Sequence, residues 1–178
     1  MKNKLLLIIV VISTILSGCG KYDNGPFISL RTKNNRLEGK WKMVEYKYEL
    51  TNTLDAIGNE SQILNGGTMT TSYYDLVFDP FTGEIIGYEP VYESYPFQQF
   101  LEFDTQKNTC ETTTLSDGFS DVSTSYWSWS DGSDEKEILE IDGQGLIIKR
   151  LTNKELELSY EYKEDEETIK VTMKMEKE

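Results

Sequence analysis

Carboxylates and aromatic rings are the groups with which this chain could do chemistry. It holds 31 Asp and Glu, 11 Tyr, 7 Phe, 3 Trp and 2 Cys, and no His. Without an imidazole, Ser-His-Asp and Cys-His nucleophilic arrangements and His-ligated metal centres are excluded. No Gly-rich loop ends in Lys-Ser or Lys-Thr to cradle a phosphate, and no G-x-S-x-G turn presents a serine. A glycosidase needs two carboxylates in a cleft, one of them with a raised pKa. Among so many acids, no spacing selects a pair. Asp131-Gly132-Ser133-Asp134-Glu135 lacks the alternating order of a calcium loop and reads as a hairpin tip. Asp142-Gly143-Gln144-Gly145 reads as a turn, because no helix follows to form a nucleotide site. The expectation is a protein that binds rather than catalyses, with no catalytic residue, metal or cofactor.

The two thiols sit in different settings. Cys110 lies in a run of strand character with no cationic neighbour in sequence to lower its pKa, so packing is its expected role. Cys19 follows a segment of another kind. Lys2 and Lys4 make a positive start, Leu5 to Leu16 carries no charge, and Leu16-Ser17-Gly18-Cys19 closes the segment. This is the layout of a secretory signal, shorter than the ~20 residues that span a bilayer. The cysteine at the cut makes it resemble a bacterial lipoprotein lipobox. That resemblance implies acylation of Cys19, with each buried acyl methylene worth about 0.8 kcal/mol of membrane attachment. Gly20, not Asp, follows the cysteine, which by the same resemblance implies the outer membrane of the cell envelope. Residues 1–18 then read as signal peptide, 19–38 as a basic tether and 39–178 as one folded domain.

Charge divides along the same line. Residues 21–42 carry six basic and two acidic side chains, whereas residues 43–178 carry ten basic and twenty-nine acidic. Nucleic acid is not an expected partner, since phosphate binding needs a basic face. The basic stretch, with Arg31, Lys33 and Arg36, either suits anionic head groups or serves only as a solvated linker.

The aromatic rings need strands to position them. Leu156, Leu158, Tyr160 and Tyr162 alternate with polar residues, as do Ile169, Val171, Met173 and Met175, and Val44, Tyr46, Tyr48 and Leu50. Such alternation gives each strand one wet face and one dry face. The runs fall near 40–50, 69–79, 84–92, 98–104, 108–115, 122–130, 136–141, 146–151, 154–163 and 166–176. Asn65-Gly66-Gly67, Asp79-Pro80-Phe81-Thr82-Gly83, Asp117-Gly118, Asp131-Gly132 and Asp142-Gly143 separate several of them as turns. Eight to ten short antiparallel strands with no long crossover predict an all-β, up-and-down barrel.

Gly39-Lys40-Trp41, opening the first strand after a basic tether, resembles the G-x-W start of lipocalin-like barrels. More specifically, the chain is similar to small lipocalin-like lipoproteins of Gram-negative bacteria. Phe100-Leu101-Glu102-Phe103-Asp104, Tyr126-Trp127-Ser128-Trp129, Leu146 to Thr152 and Glu155 to Leu158 agree with it. The resemblance implies a late-strand Arg over Trp41, yet residues 154–176 offer only Lys163, Lys170 and Lys174. The Tyr-rich stretch 52–97 reads as a loop or hairpin added to a minimal barrel.

Trp127 and Trp129 share one face of their strand, and Tyr46, Tyr48, Tyr160 and Tyr162 fall on inward faces. Together with Trp41 they either line a cavity for a small apolar or amphipathic molecule, or fill the barrel. Several large rings favour the filled core. Two functions follow. One is a membrane-anchored binding protein; the other is a docking module whose acidic outer face and Tyr73–Tyr95 stretch meet another envelope protein.

Overall fold

The computed structural model describes residues 32–52, 58–131 and 137–178. The signal segment, Cys19, the tether through Arg31 and residues 132–135 of the proposed hairpin tip lie outside the described residues.

The alternating runs become ten antiparallel strands. They are β1 Gly39–Asn52, β2 Glu60–Asn65, β3 Thr68–Phe78, β4 Ile85–Asp104, β5 Thr109–Ser116, β6 Phe119–Asp131, β7 Glu137–Ile141, β8 Gln144–Leu151, β9 Glu155–Glu164 and β10 Glu167–Lys177. Each pairs with its neighbour in sequence, and β10 returns to β1, so the sheet closes in up-and-down order. Asp117-Gly118 and Asp142-Gly143 make the expected tight hairpins, with φ of 44° and 82° and of 49° and 82°. Positive φ at both central residues matches the twist of the flanking strands.

The ten strands are not the ten runs read from sequence. β2 escaped notice because only Leu64 of its six residues is buried. In compensation, the runs at 84–92 and 98–104 fuse into the single strand β4, straight through Pro90 and Pro96. Phe97 donates its N–H to Gly67 O at 2.9 Å, toward the β2–β3 hairpin. The N–H positions of even-numbered β4 residues therefore face the other way, toward β5, which pairs only from Phe97 onward, so Pro90 and Pro96 remove no ladder bond.

The β2–β3 hairpin changes the girth of the barrel along its axis. At the bottom, Gly39–Lys42 of β1 pair directly with Phe100–Phe103 of β4, closing a ring of eight strands. Higher up, Glu45–Leu50 pair with β2 instead, and the ring has ten. Eight strands leave an interior just wide enough for side chains, and diameter grows with strand number. The floor is therefore packed, and the upper half has room to be hollow.

Two bulges keep the core continuous. Val44 is an extra residue in β1 between Met43 and Glu45, and Lys149 is extra in β8 between Ile148 and Arg150. Strict alternation would put Trp41 and Tyr46 on opposite faces; the bulge resets the phase, so Trp41, Met43 and Tyr46 all belong to the core.

A short helix, α1 Lys33–Leu37, plugs the floor. This part of the expected tether is folded onto the barrel. Thr32 caps it by accepting the Asn35 N–H, Leu37 is fully buried, and Arg36 donates to Leu151 O at 2.8 Å. Lys33 lies 4.5 Å from the Trp129 ring and 3.9 Å from Glu137. Lys33 and Arg36, which the sequence offered to head groups, are thus engaged within the protein.

The cation over Trp41 is Lys177. Its ammonium sits 5.0 Å from the ring centroid and donates to Arg36 O at 3.0 Å. Lys163, Lys170 and Lys174, the cations considered from sequence, occupy outward positions of β9 and β10. Gly39 has φ of 102°, and a Cβ there would lie 3.3 Å from the Lys177 stem. The glycine of Gly39-Lys40-Trp41 is needed both for its backbone angle and for the passage of that lysine. A desolvated cation–π contact is worth up to ~2 kcal/mol. Lys177→Met, which keeps the stem and loses the charge, is expected to cost about 1–2 kcal/mol, read as a lower urea midpoint.

Candidate functional site: the cavity above the tryptophan floor

The aromatic residues singled out by sequence separate into two groups. Trp41, Trp127 and Trp129 build the floor. Trp41 is 0% exposed, and its indole N–H donates to Leu37 O at 2.7 Å. Trp127 donates to Thr109 O at 3.1 Å, and Trp129 to Asn34 Oδ1 at 2.7 Å. The Trp127 ring stands edge-on to Trp129, with centroids 5.7 Å apart, and edge-on to Phe103 at 6.1 Å. Every indole N–H has an acceptor, so these rings are committed to structure.

The tyrosines stand higher. Tyr46 is half-buried against the core. Two residues further up the wall, Tyr48 faces Val171 of β10 and Gln62 of β2. Tyr160 and Tyr162 stack in parallel on β9, with centroids 6.5 Å apart. The Tyr162 hydroxyl donates to Glu164 at 2.6 Å, and on the arm-ward wall Tyr73 donates to Glu93 at 3.3 Å.

Between floor and rim lies a cavity of about 380 Å³. Met43, Leu101, Leu146, Leu158, Val171 and Met173 give it apolar walls drawn from five strands around the ring. Tyr46, Gln99 and Thr112 add polar atoms. The interior is therefore filled at the base only, and hollow where the ring widens. Gln99 and Thr112 went unremarked in the sequence, although each is a polar residue where the alternation calls for an apolar one. Gln99 precedes Leu101 by two residues, and Thr112 follows Cys110 by two.

The cavity opens sideways. β7 and β8 are short and turn back at Asp142-Gly143. β7 reaches only Trp127 on β6, and β8 reaches only Ser159 on β9. Above that level no strand among the described residues joins β6 to β9, and the wall has a notch. Ile141, Asp142 and Gln144 form its sill and also line the cavity. Asp142 is held there by accepting the Tyr126 N–H at 3.0 Å, and a hydrogen bond from the Ser125 side chain, followed by the Tyr126 bond, keeps its carboxyl below the usual range.

Electrostatics at the rim have one sign. Burial, then the neighbouring Tyr48 and Glu60, push the Tyr46 hydroxyl pKa up. Burial, Glu60 and Glu167 do the same for Tyr48. The hydrogen bond to Glu164 raises Tyr162. The phenols are held protonated as donors beside carboxylates.

A larger concavity of about 670 Å³ lies on the outer wall over β2, β1, β10, β9 and the β8 bulge. Its charges mostly answer one another, as in Lys174 and Glu45 at 3.2 Å, and it lies open to solvent. The inner cavity is also open on one side, and it is set apart by its mainly apolar walls, a character that small-molecule sites share.

Cys110 packs beside Phe103 under the cavity, fully buried. Burial pushes its thiol pKa up to about 12. A thiol raised in the folded state stabilises fully below its ordinary value near 9, and that contribution is lost as pH climbs toward 12. Stability is expected to fall over that window and to fall less steeply in Cys110→Ala, measured by urea denaturation across pH. The native thiol is expected to resist iodoacetamide at pH 8 until the protein is unfolded.

The chain matches no protein-family model, no curated protein and no solved structure. Its function is to be read from its own geometry.

Proposed function

We propose that this protein is a lipid-anchored binding protein of the bacterial cell envelope, with a lipocalin-like barrel that takes one small apolar or amphipathic molecule into its upper half. The cavity above the tryptophan floor carries the reading. Its volume of about 380 Å³ lies in the range of small-molecule sites, and its apolar wall with a few polar groups has their composition. No catalytic step is assigned to it. Calorimetric titration of decanol into the full mature chain carrying Cys19→Ala tests the cavity. Saturable binding with a negative heat-capacity change supports it; absence of binding by decanol and by charged decyl amphiphiles overturns it.

Anchoring rests on Cys19, and the placing of charge fits it. The mouth turns Asp117-Gly118, Asp142-Gly143 and Asp165-Glu166 carry acids alone, and a surface of anionic lipid repels that end. Palmitate labelling that is abolished by Cys19→Ala supports the anchor, and labelling that survives the change overturns it.

One feature favours the docking function as well. Beyond Ser72, β3 and β4 leave the ring as a two-stranded arm. Tyr74, Leu76, Phe78, Tyr88 and Tyr92 stand exposed on it, with Phe81 96% exposed at the tip. Residues 73–97 hold five acids and no Lys or Arg. The matching partner is an envelope protein with an apolar groove edged by Lys and Arg. An identified partner whose purified complex is lost on Phe81→Ser and Tyr88→Ser supports this function; a complex indifferent to both changes overturns it.

A further inference from the structure

We propose that the molecule taken into the barrel is an amphipathic cation, an apolar chain or ring system bearing a positively charged nitrogen. This rests on the binding function proposed above and adds the charge of the ligand. The site is the cavity itself; the groups over it set the sign of what enters.

The register of each strand fixes which side chains face in. On β1, β9 and β10 the inward set above the floor runs through Tyr46 and Tyr48, Leu158 to Tyr162, and Met173 to Ile169. Continuing the same parity brings Glu164 and Glu167 to the inner rim. On β2 the parity of Leu64 and Gln62 leads to Glu60, which accepts from Gln62 at 3.1 Å. Across the ring, Glu93 follows from Tyr95, and Asp121 lies opposite the inward Thr114. Asp142 completes the set at the sill of the notch. Each route into the cavity thus passes carboxylates.

Cations are absent from those positions. Lys47, Lys163, Lys170 and Lys174 all alternate with inward residues and point out. Among the described residues, no Lys or Arg holds an inward strand position above the floor. The inward cation, Lys177, is on Trp41 beneath the cavity.

The rings suit the same ligand. Two tyrosine sites on the ring stand beside carboxylates: Tyr48 with Glu60 and Glu167, and Tyr162 with Glu164. A phenol face attracts a cation through its quadrupole while the carboxylate supplies the charge. An anionic amphiphile, such as a fatty-acid carboxylate, meets repulsion at every one of these places.

The test compares decyltrimethylammonium, decyl sulfate and decanol, each below its micellar concentration, on the full mature chain carrying Cys19→Ala. The chains are alike, so the head group alone is varied. The cation is expected to bind at least about tenfold more tightly than the sulfate at low ionic strength, with the ratio shrinking as salt is added. Glu60→Gln with Glu167→Gln is expected to cut that ratio by about threefold or more. Sulfate binding as tight as the cation's, or a ratio untouched by the two substitutions, overturns the proposal. In either case decanol binding leaves the cavity function standing; failure of all three probes overturns both.

Discussion

Trp41→Ala is expected to lower stability by about 3–5 kcal/mol, the largest loss from any single side chain in this protein. Three separate interactions end together. The ring is fully buried among the core side chains of the floor. Its N–H is the donor to Leu37 O, so α1 loses a tie to the barrel. Lys177 loses the ring face beneath its ammonium and remains in the gap left by Gly39. Trp41→Phe keeps a ring and gives up the N–H and part of the volume, and about half the loss is expected. Chemical denaturation of the two variants checks this. A loss below about 1 kcal/mol for Trp41→Ala would mean that the floor is not a packed unit.

Val171→Phe is expected to abolish or weaken decanol binding by at least about tenfold while moving stability by no more than about 1 kcal/mol. Val171 lines the cavity, paired with Tyr48 on one side and Tyr160 on the other. A larger side chain there grows into open volume, so overpacking strain is small and ligand volume is lost. The two measurements together are the check. Unchanged affinity would place the bound chain elsewhere, with the outer-wall groove the next location to mutate.

Much of this was legible before any coordinates. Period-two alternation in Leu156–Tyr162 and Ile169–Met175 specified both strands, their pairing and their dry faces, because the side-chain period of a strand is two. Asp117-Gly118 and Asp142-Gly143 specified hairpins through the φ angles their residues tolerate. The absence of His removed whole classes of chemistry from composition alone.

The rest depended on what met what across the ring. Trp41 and Tyr46 are an odd number of residues apart, and only the bulge at Val44, fixed by pairing to β10, puts both inside. Lys177 was passed over because a cation on Trp41 is a contact between the two ends of the domain. β2 has too few apolar residues to declare itself; its place is set by β1 and β3 on either side. Its insertion widens eight strands to ten and makes the cavity. Local sequence could therefore determine that strands form, where they turn and which face of each is dry, since these follow from backbone propensity and burial over a few residues. Whether the rings fill the barrel or roof a hollow was decided by the girth of the closed sheet, a property of all the strands at once.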